Sequence, residues 1–303
     1  MDFFVICAKL DSAESGNLLP GYIDGAIDEL YKGKERTDTS YTQDGKLIRA
    51  AIAVHDIGEG DIPRKEWNVI LLQGLAQALA KYIVDVREAK IVAEVIATEY
   101  SLSSPEQLKA VKELSSRLLG TGKDSLEARN LRIMGIKESC FMYLKESKSF
   151  HVDGFITFRL KDYKSKLKET VDFAVDEYLL DKQYEEFIGL LQYFVYFQEP
   201  LTPLVHLMHI RGSEFSILNQ EFATVSVSAV SGVVARIADQ ELEMEDIVVS
   251  TLISLSPSRI VIHTRDPEVV IISTIRRIFG DRVELCLLCP QCNLIHQGAR
   301  HSD

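Results

Sequence analysis

Read as a sequence, the chain lacks any apolar run long enough to cross a bilayer. Its longest lysine-free apolar stretch, Val69 to Ala80, covers 12 residues and is broken by Gln73 and Gln77, whereas a membrane-spanning helix needs about 20. The run therefore reads as a core helix. The stretch MDFFVICAKLD, with an acid at Asp2 and no basic segment, is not expected to act as a secretory signal. An excess of positive charge is also missing. With 34 basic against 45 acidic residues the formal charge is −11, and such a surface repels phosphate backbones. A general nucleic-acid binder is excluded unless the basic residues gather on one face. Cysteine is sparse and odd in number, five in all with three crowded near one end. That is no disulfide framework, and the reducing cytoplasm is the expected compartment. There is no internal repeat, no low-complexity tract and no catalytic constellation.

Two phosphate-binding motifs are imitated without being completed. GEGDIP supplies Gly58 and Gly60, but Pro63 stands at the third glycine and Glu59 and Asp61 would repel a pyrophosphate. GTGKDS has Arg117 where a phosphate loop needs its first glycine, and Asp124 where the magnesium-binding hydroxyl belongs. Both read as loops.

What is present is an ordinary globular balance, 46% apolar and 26% charged, in a chain long enough for two domains. FFVICAKL and KLIRAAIAVHD read as strands, and LLPGYIDGAIDELYKG as a helix burying Ile23, Ile27 and Leu30. Apolar residues recur at helical spacing from Arg64 to Tyr100, which predicts one long helix or two in line. Pro63 suits its first turn. SLSSPEQ caps a further helix that ends near Gly120, and KDSLEARNLRIMGIKESCFMYLKES continues the pattern to Ser147. Between Phe158 and Pro200, one stripe at Tyr163, Leu167, Val171, Ala174 and Tyr178 is followed by a second at Tyr184, Phe187, Leu191, Phe194 and Gln198. These are two helices or one helix bent near Asp181. LVHLMHIRGSEFSIL is a hairpin turning at Gly212 and Ser213, TVSVSAV a strand and MEDIVVSTLISLSP a helix. RIVIH is a short strand, DPEVVIISTIRRIFG a helix with Pro267 in its first turn, and RVELC a last strand. The expected fold is helix-rich α+β: a mixed α/β N-terminal portion, a central helical region and a small C-terminal α/β unit. Residues 1–150 hold the first sheet and long helices. Residues 151–303 hold a two-helix segment and the α/β unit with its cysteine-bearing end.

The residues richest in chemistry are CLLCPQCNLIH, in which Cys286, Cys289, Cys292 and His296 form C-x2-C-x2-C-x3-H. Closely spaced thiols and an imidazole can converge on one ion, and with no second cysteine run a single zinc is the preferred metal. The same thiols also form two C-x-x-C pairs of the redox type, although no helix follows them. A third reading has Cys286 finishing a buried strand and the rest in a tail. All three stay open at this point.

Other candidates are weaker. His206 and His209, three apart in a strand, face opposite sides and cannot share a metal. His55 and Asp56 adjoin without a nucleophile motif. His263, Thr264 and Arg265 end a strand before a helix, which reads as a solvated loop, with a small anion site as the alternative because α/β folds bind ligands at such places. Arg159, Lys161, Lys164, Lys166 and Lys168 precede Asp172, Asp176, Glu177 and Asp181, which reads as a solvated helix face with a docking patch for an acidic partner as the alternative. Tyr196 and Phe197 cannot both face inward, so one marks an exposed contact.

FRLKDY, AVDEYLLDKQYEEFIGLLQYFVYFQEP, STLISLSPSRIVIH and RVELCLLCPQC, in that order, resemble the YtxC-like family over roughly Val152 to Cys292. The resemblance implies a sporulation association and a cysteine-bearing C-terminus, and it implies no reaction. The expectation is thus a cytoplasmic, non-catalytic sporulation factor. It would act through an unknown protein partner, without nucleic acid or membrane insertion, with zinc on Cys286, Cys289, Cys292 and His296. A thiol-dependent redox or metal enzyme using the same cysteines is the alternative.

Overall fold

The structure of the protein, a computed structural model, describes residues 2–10, 18–31, 37–54, 64–102, 104–120, 125–212, 214–225 and 244–291. The chain is helix-rich α+β, and its described residues form two four-stranded sheets. It divides into two compact units, Met1–Leu179 and Leu180–Asp303.

In the first unit β1 (Asp2–Lys9) alternates so that Phe4, Ile6 and Ala8 enter the core. It pairs antiparallel with β3 (Leu47–Val54), which pairs antiparallel with β2 (Thr37–Asp44). Asp44 stands opposite Leu47, and the two-residue turn between them has Gly45 at φ 56°, the positive angle such hairpins require. Helix α1 (Leu18–Tyr31) sends Leu19, Ile23 and Ile27 into the same core. Helix α2 (Arg64–Tyr82) packs against α1, and the fit is close: a Cβ on Gly74 would stand 2.6 Å from Leu30 Cδ1.

A five-residue π turn, Ile83–Arg87, joins α2 in line to α3 (Glu88–Glu99), as one of the two expected arrangements has it. By length and composition the stretch Glu66–Glu99 is able to cross a membrane, but 56% of its most apolar window is buried inside the fold. Leu71, Leu75 and Leu79 are enclosed, so it serves as the core helix that its glutamines suggested. Pro63 lies outside the described residues. Around the π turn charged groups are paired. Arg132 forks onto Glu88 at 2.9 and 3.2 Å, Tyr163 donates to the same carboxylate, and Arg87 meets Asp153 while donating to the Lys9 carbonyl at 3.1 Å.

Helix α4 (Pro105–Gly120) starts with a reciprocal cap. The Gln107 N–H donates to Ser104 Oγ, and the Ser104 N–H donates to Gln107 Oε1. After α5 (Ser125–Glu146), the three-residue β4 (Ser149–His151) joins β1 in parallel and completes the order β2-β3-β1-β4. Short α6 (Val152–Arg159) precedes α7 (Lys161–Phe197), a single helix of 37 residues that continues through Asp181. Its first half buries Tyr163, Leu167, Val171 and Ala174 as the stripe requires.

The second unit starts within α7. Here the expected stripe is out of phase: Tyr184, Phe187 and Phe194 are exposed, and Ile188 and Val195 fill the core with Leu191 packed beside them. The small aliphatic side chains, one position on, fit the space over the sheet. That sheet is built from the hairpin β5 (Val205–Arg211) and β6 (Glu214–Leu218), with β7 (Ile260–His263) and β8 (Val283–Cys286), in the order β6-β5-β7-β8. Strands β5, β7 and β8 are parallel. Helix α8 (Met244–Leu255) and helix α9 (Val270–Phe279) supply the crossovers, and α9 buries Ile271, Ile272, Ile275 and Ile278. Pro267 precedes α9 by three residues rather than sitting in its first turn. In TVSVSAV the Val225 N–H pairs with the Ile217 carbonyl at 2.9 Å, and 226–243 lie outside the described residues.

Candidate metal site at the ends of β7 and β8

The run RIVIH is β-branched and apolar up to His263, and RVELC alternates Val283 and Leu285 with Glu284 before Cys286, so each makes a four-residue strand that stops at a metal donor. The two strands pair in register from Ile260↔Val283 to His263↔Cys286, and His263 is opposite Met208 of β5. Partners in a parallel ladder project to the same face. Cys286 therefore stands beside His263, and His206, two residues before Met208, shares that face.

The chain then turns back within three residues and brings Cys289 Sγ to 3.6 Å from His263 Nδ1. The donor atoms of His263, Cys286 and Cys289 all lie within 4.8 Å of one another. The imidazole is buried and both thiols are half-buried. Nitrogen and sulfur bonded to one tetrahedral zinc are separated by about 3.5 Å, given bonds of about 2.0 and 2.3 Å. The observed contact fits, and the cluster can hold a metal ion.

On the side of the ring away from the Cys289 thiol, His263 Nε2 meets His206 Nδ1 at 2.9 Å. The His206 ring lies against Phe222 with centroids 4.0 Å apart and planes 15° from parallel. Phe222 has φ 59°, a left-handed conformation that is strained for a bulky side chain. Its loop is held by Asn219, whose Oδ1 accepts the N–H groups of Glu221 and Ala223 at 3.0 and 2.9 Å. Burial lowers the pKa of His263, with the neighbouring His206 adding to the shift. Burial, followed by the charge of Arg259, lowers that of His206. Both rings are therefore kept neutral at ordinary pH, the form in which imidazole ligates a metal.

His209 is on the opposite face, as its spacing from His206 dictates. Its Nε2–H donates to the Gly212 carbonyl at 2.9 Å, its Nδ1 meets Thr264 Oγ1 at 2.8 Å, and its ring stacks on Phe215. Thr264 is committed to this contact and to the Asp266 N–H at 3.0 Å. With α9 starting only at Val270, the anion reading of this loop loses the helix N-terminus it relied on.

Of the four expected metal residues, Cys286 and Cys289 are brought together, while Cys292 and His296 lie outside the described residues, as do His55 and Asp56. Sequence reasoning did not join His263 to the cysteines. The available signal was that two short strands flanking one helix each end in a metal donor. In the basic run, Lys168 pairs with Glu99 at 2.8 Å, so that charge is neutralised.

Residues 73–284 match the model of the YtxC-like family, which is about two-thirds of the chain and includes His206 and His263. The chain belongs to the YtxC-like family. It is 24% identical over 212 residues to the uncharacterized protein YtxC of Bacillus subtilis (strain 168), an overlap that covers 68% of this chain and 74% of that protein. The match reaches further towards the N-terminus than the motifs quoted above, and it ends two residues before Cys286. No solved structure matches this YtxC-like chain.

Proposed function

We propose that this YtxC-like protein is a cytoplasmic sporulation factor that works through protein contacts, with a zinc ion fixing the end of its C-terminal unit. The supporting observation is the convergence of His263, Cys286 and Cys289 at the ends of adjacent strands. Three ligands from two strand ends and one turn, backed by a buried imidazole, suit a structural zinc better than a local tail would. The fourth ligand comes from Cys292 or His296, which follow directly. Sporulation enters through family resemblance, and among the described residues the thiol–imidazole pair of Cys289 with His263 is the pair that the zinc reading uses.

Metal analysis of protein purified without an affinity tag tests the reading. We expect about one zinc per chain, lost in Cys289→Ser together with stability. The thiol-dependent alternative has its own support in the 3.6 Å contact between Cys289 Sγ and His263 Nδ1. Metal-free protein whose Cys289 alkylates rapidly at neutral pH would favour it and would overturn the zinc reading.

A further inference from the structure

Helix α7 presents two apolar faces in the second unit, and among the described residues only one is packed against the core. Ile188, Leu191 and Val195 pack on the sheet and helix α9. Glu185 pairs with Arg277, and Gln192 donates to the Arg277 carbonyl at 2.8 Å, so polar contacts flank the packed face and agree with its orientation. That other side carries Leu180, Phe187, Leu190, Tyr193, Phe194 and Phe197, each more than half exposed. From Leu180 the steps to Phe187, Leu190, Phe194 and Phe197 are seven, three, four and three. This is the alternation by which one helix packs along another. The place where the first seven-residue step would be divided is taken by Gln183, which is exposed, and a single polar residue in such a seam fixes register at a cost in stability. We infer that this seam is a dimer interface, and that a second copy of the chain covers it with its own α7.

The area supports a second copy. Six large side chains, each more than half exposed, offer roughly 600–700 Å² of mostly apolar surface, taking 150–250 Å² for a full aromatic side chain. That is more than a stable monomer usually leaves open and approaches the roughly 800 Å² per partner of an ordinary specific interface. A seam with a three-and-four repeat is also complementary to itself, which a two-fold contact requires. A lipid surface fits less well. Helices that lie on membranes are rich in Lys and Arg beside the apolar face, whereas here Lys182 is outnumbered by Asp181, Glu185 and Glu186.

The inference supplies the partner for the protein contacts proposed above and does not depend on the metal. The full chain is measured by light scattering after size exclusion and by sedimentation, with and without EDTA. The expected mass is twice the chain's 34.1 kDa. The double variant L190E/F194E should give single-chain mass with an unchanged circular dichroism spectrum. Should that variant misfold, the milder Phe187→Ser should weaken the dimer at least tenfold. A wild-type monomer at every micromolar concentration tried overturns the inference, as does a dimer that persists in the folded variants. Flotation of the wild type with anionic or neutral vesicles, abolished by the same substitutions, would assign the seam to a membrane and overturn it equally. A monomer that still captures a protein from sporulating cells would end the dimer and leave the contact reading standing.

Discussion

His206 shows how much of the candidate site depends on a residue that holds no metal. If His263 ligates through Nδ1, its Nε2 must carry the proton and donate it to His206 Nδ1, 2.9 Å away. A ligand imidazole fixed in this way keeps its tautomer and orientation, and removing such a partner typically weakens metal binding 10–100-fold. His206→Leu should therefore lower zinc affinity by about that factor, and His206→Asn, which keeps an acceptor near the Nδ1 position, should recover most of it. Competition with a chromogenic chelator measures both. Equal affinities for the two variants would reduce His206 to packing. None of this was readable from the chain. The H-x-x-H spacing dictated correctly that His206 and His209 part company, but spacing within one strand says nothing about which neighbour lies alongside. That depends on the register of β5, β7 and β8, which is fixed by packing over long sequence separations. The cysteines were visible because they are close in sequence. Their imidazole was not, because it is 23 residues before Cys286.

At the scale of elements, legibility followed how strongly a segment declares itself locally. The stop and start signals around α4 were plain, and the structure realises them as the reciprocal Ser104–Gln107 cap. Ser104→Ala should cost about 1 kcal/mol. Ser104→Asp, which still accepts the Gln107 N–H, should cost little. Chemical denaturation curves for the two variants would separate capping from a general effect of substitution, and superimposable curves would show that the cap contributes nothing. Strands without a local signature were missed. β2 reads TDTSYTQD, is mostly solvent-facing and owes its extension to pairing with β3. β4 has three residues and exists only because β1 offers it an edge. The phase error in the second half of α7 has a related origin. Periodicity shows that a helix has an apolar stripe, but here two stripes compete, and the larger, aromatic one is outside.

For the whole molecule, the division between the two compact units falls within the sequence of α7 rather than in a linker, so no shift in composition marks where one core ends and the next begins. The separation can still be tested, because the only tryptophan, Trp67, is buried in the first unit. Its fluorescence reports that core alone, whereas circular dichroism reports helices in both. A ligand that binds only the folded form stabilises it by about 3 kcal/mol at a free concentration one hundred times its Kd. Zinc held by His263, Cys286 and Cys289 would contribute this to the second unit. EDTA should then lower the thermal midpoint of part of the dichroism signal, while the Trp67 transition stays where it was. Cys289→Ser without chelator should reproduce the same divergence. If both probes shift together, the units unfold as one and the metal supports the entire chain. If neither shifts, the ion contributes nothing to stability, and the rate at which Cys289 alkylates then separates thiol chemistry from simple packing of the strand end.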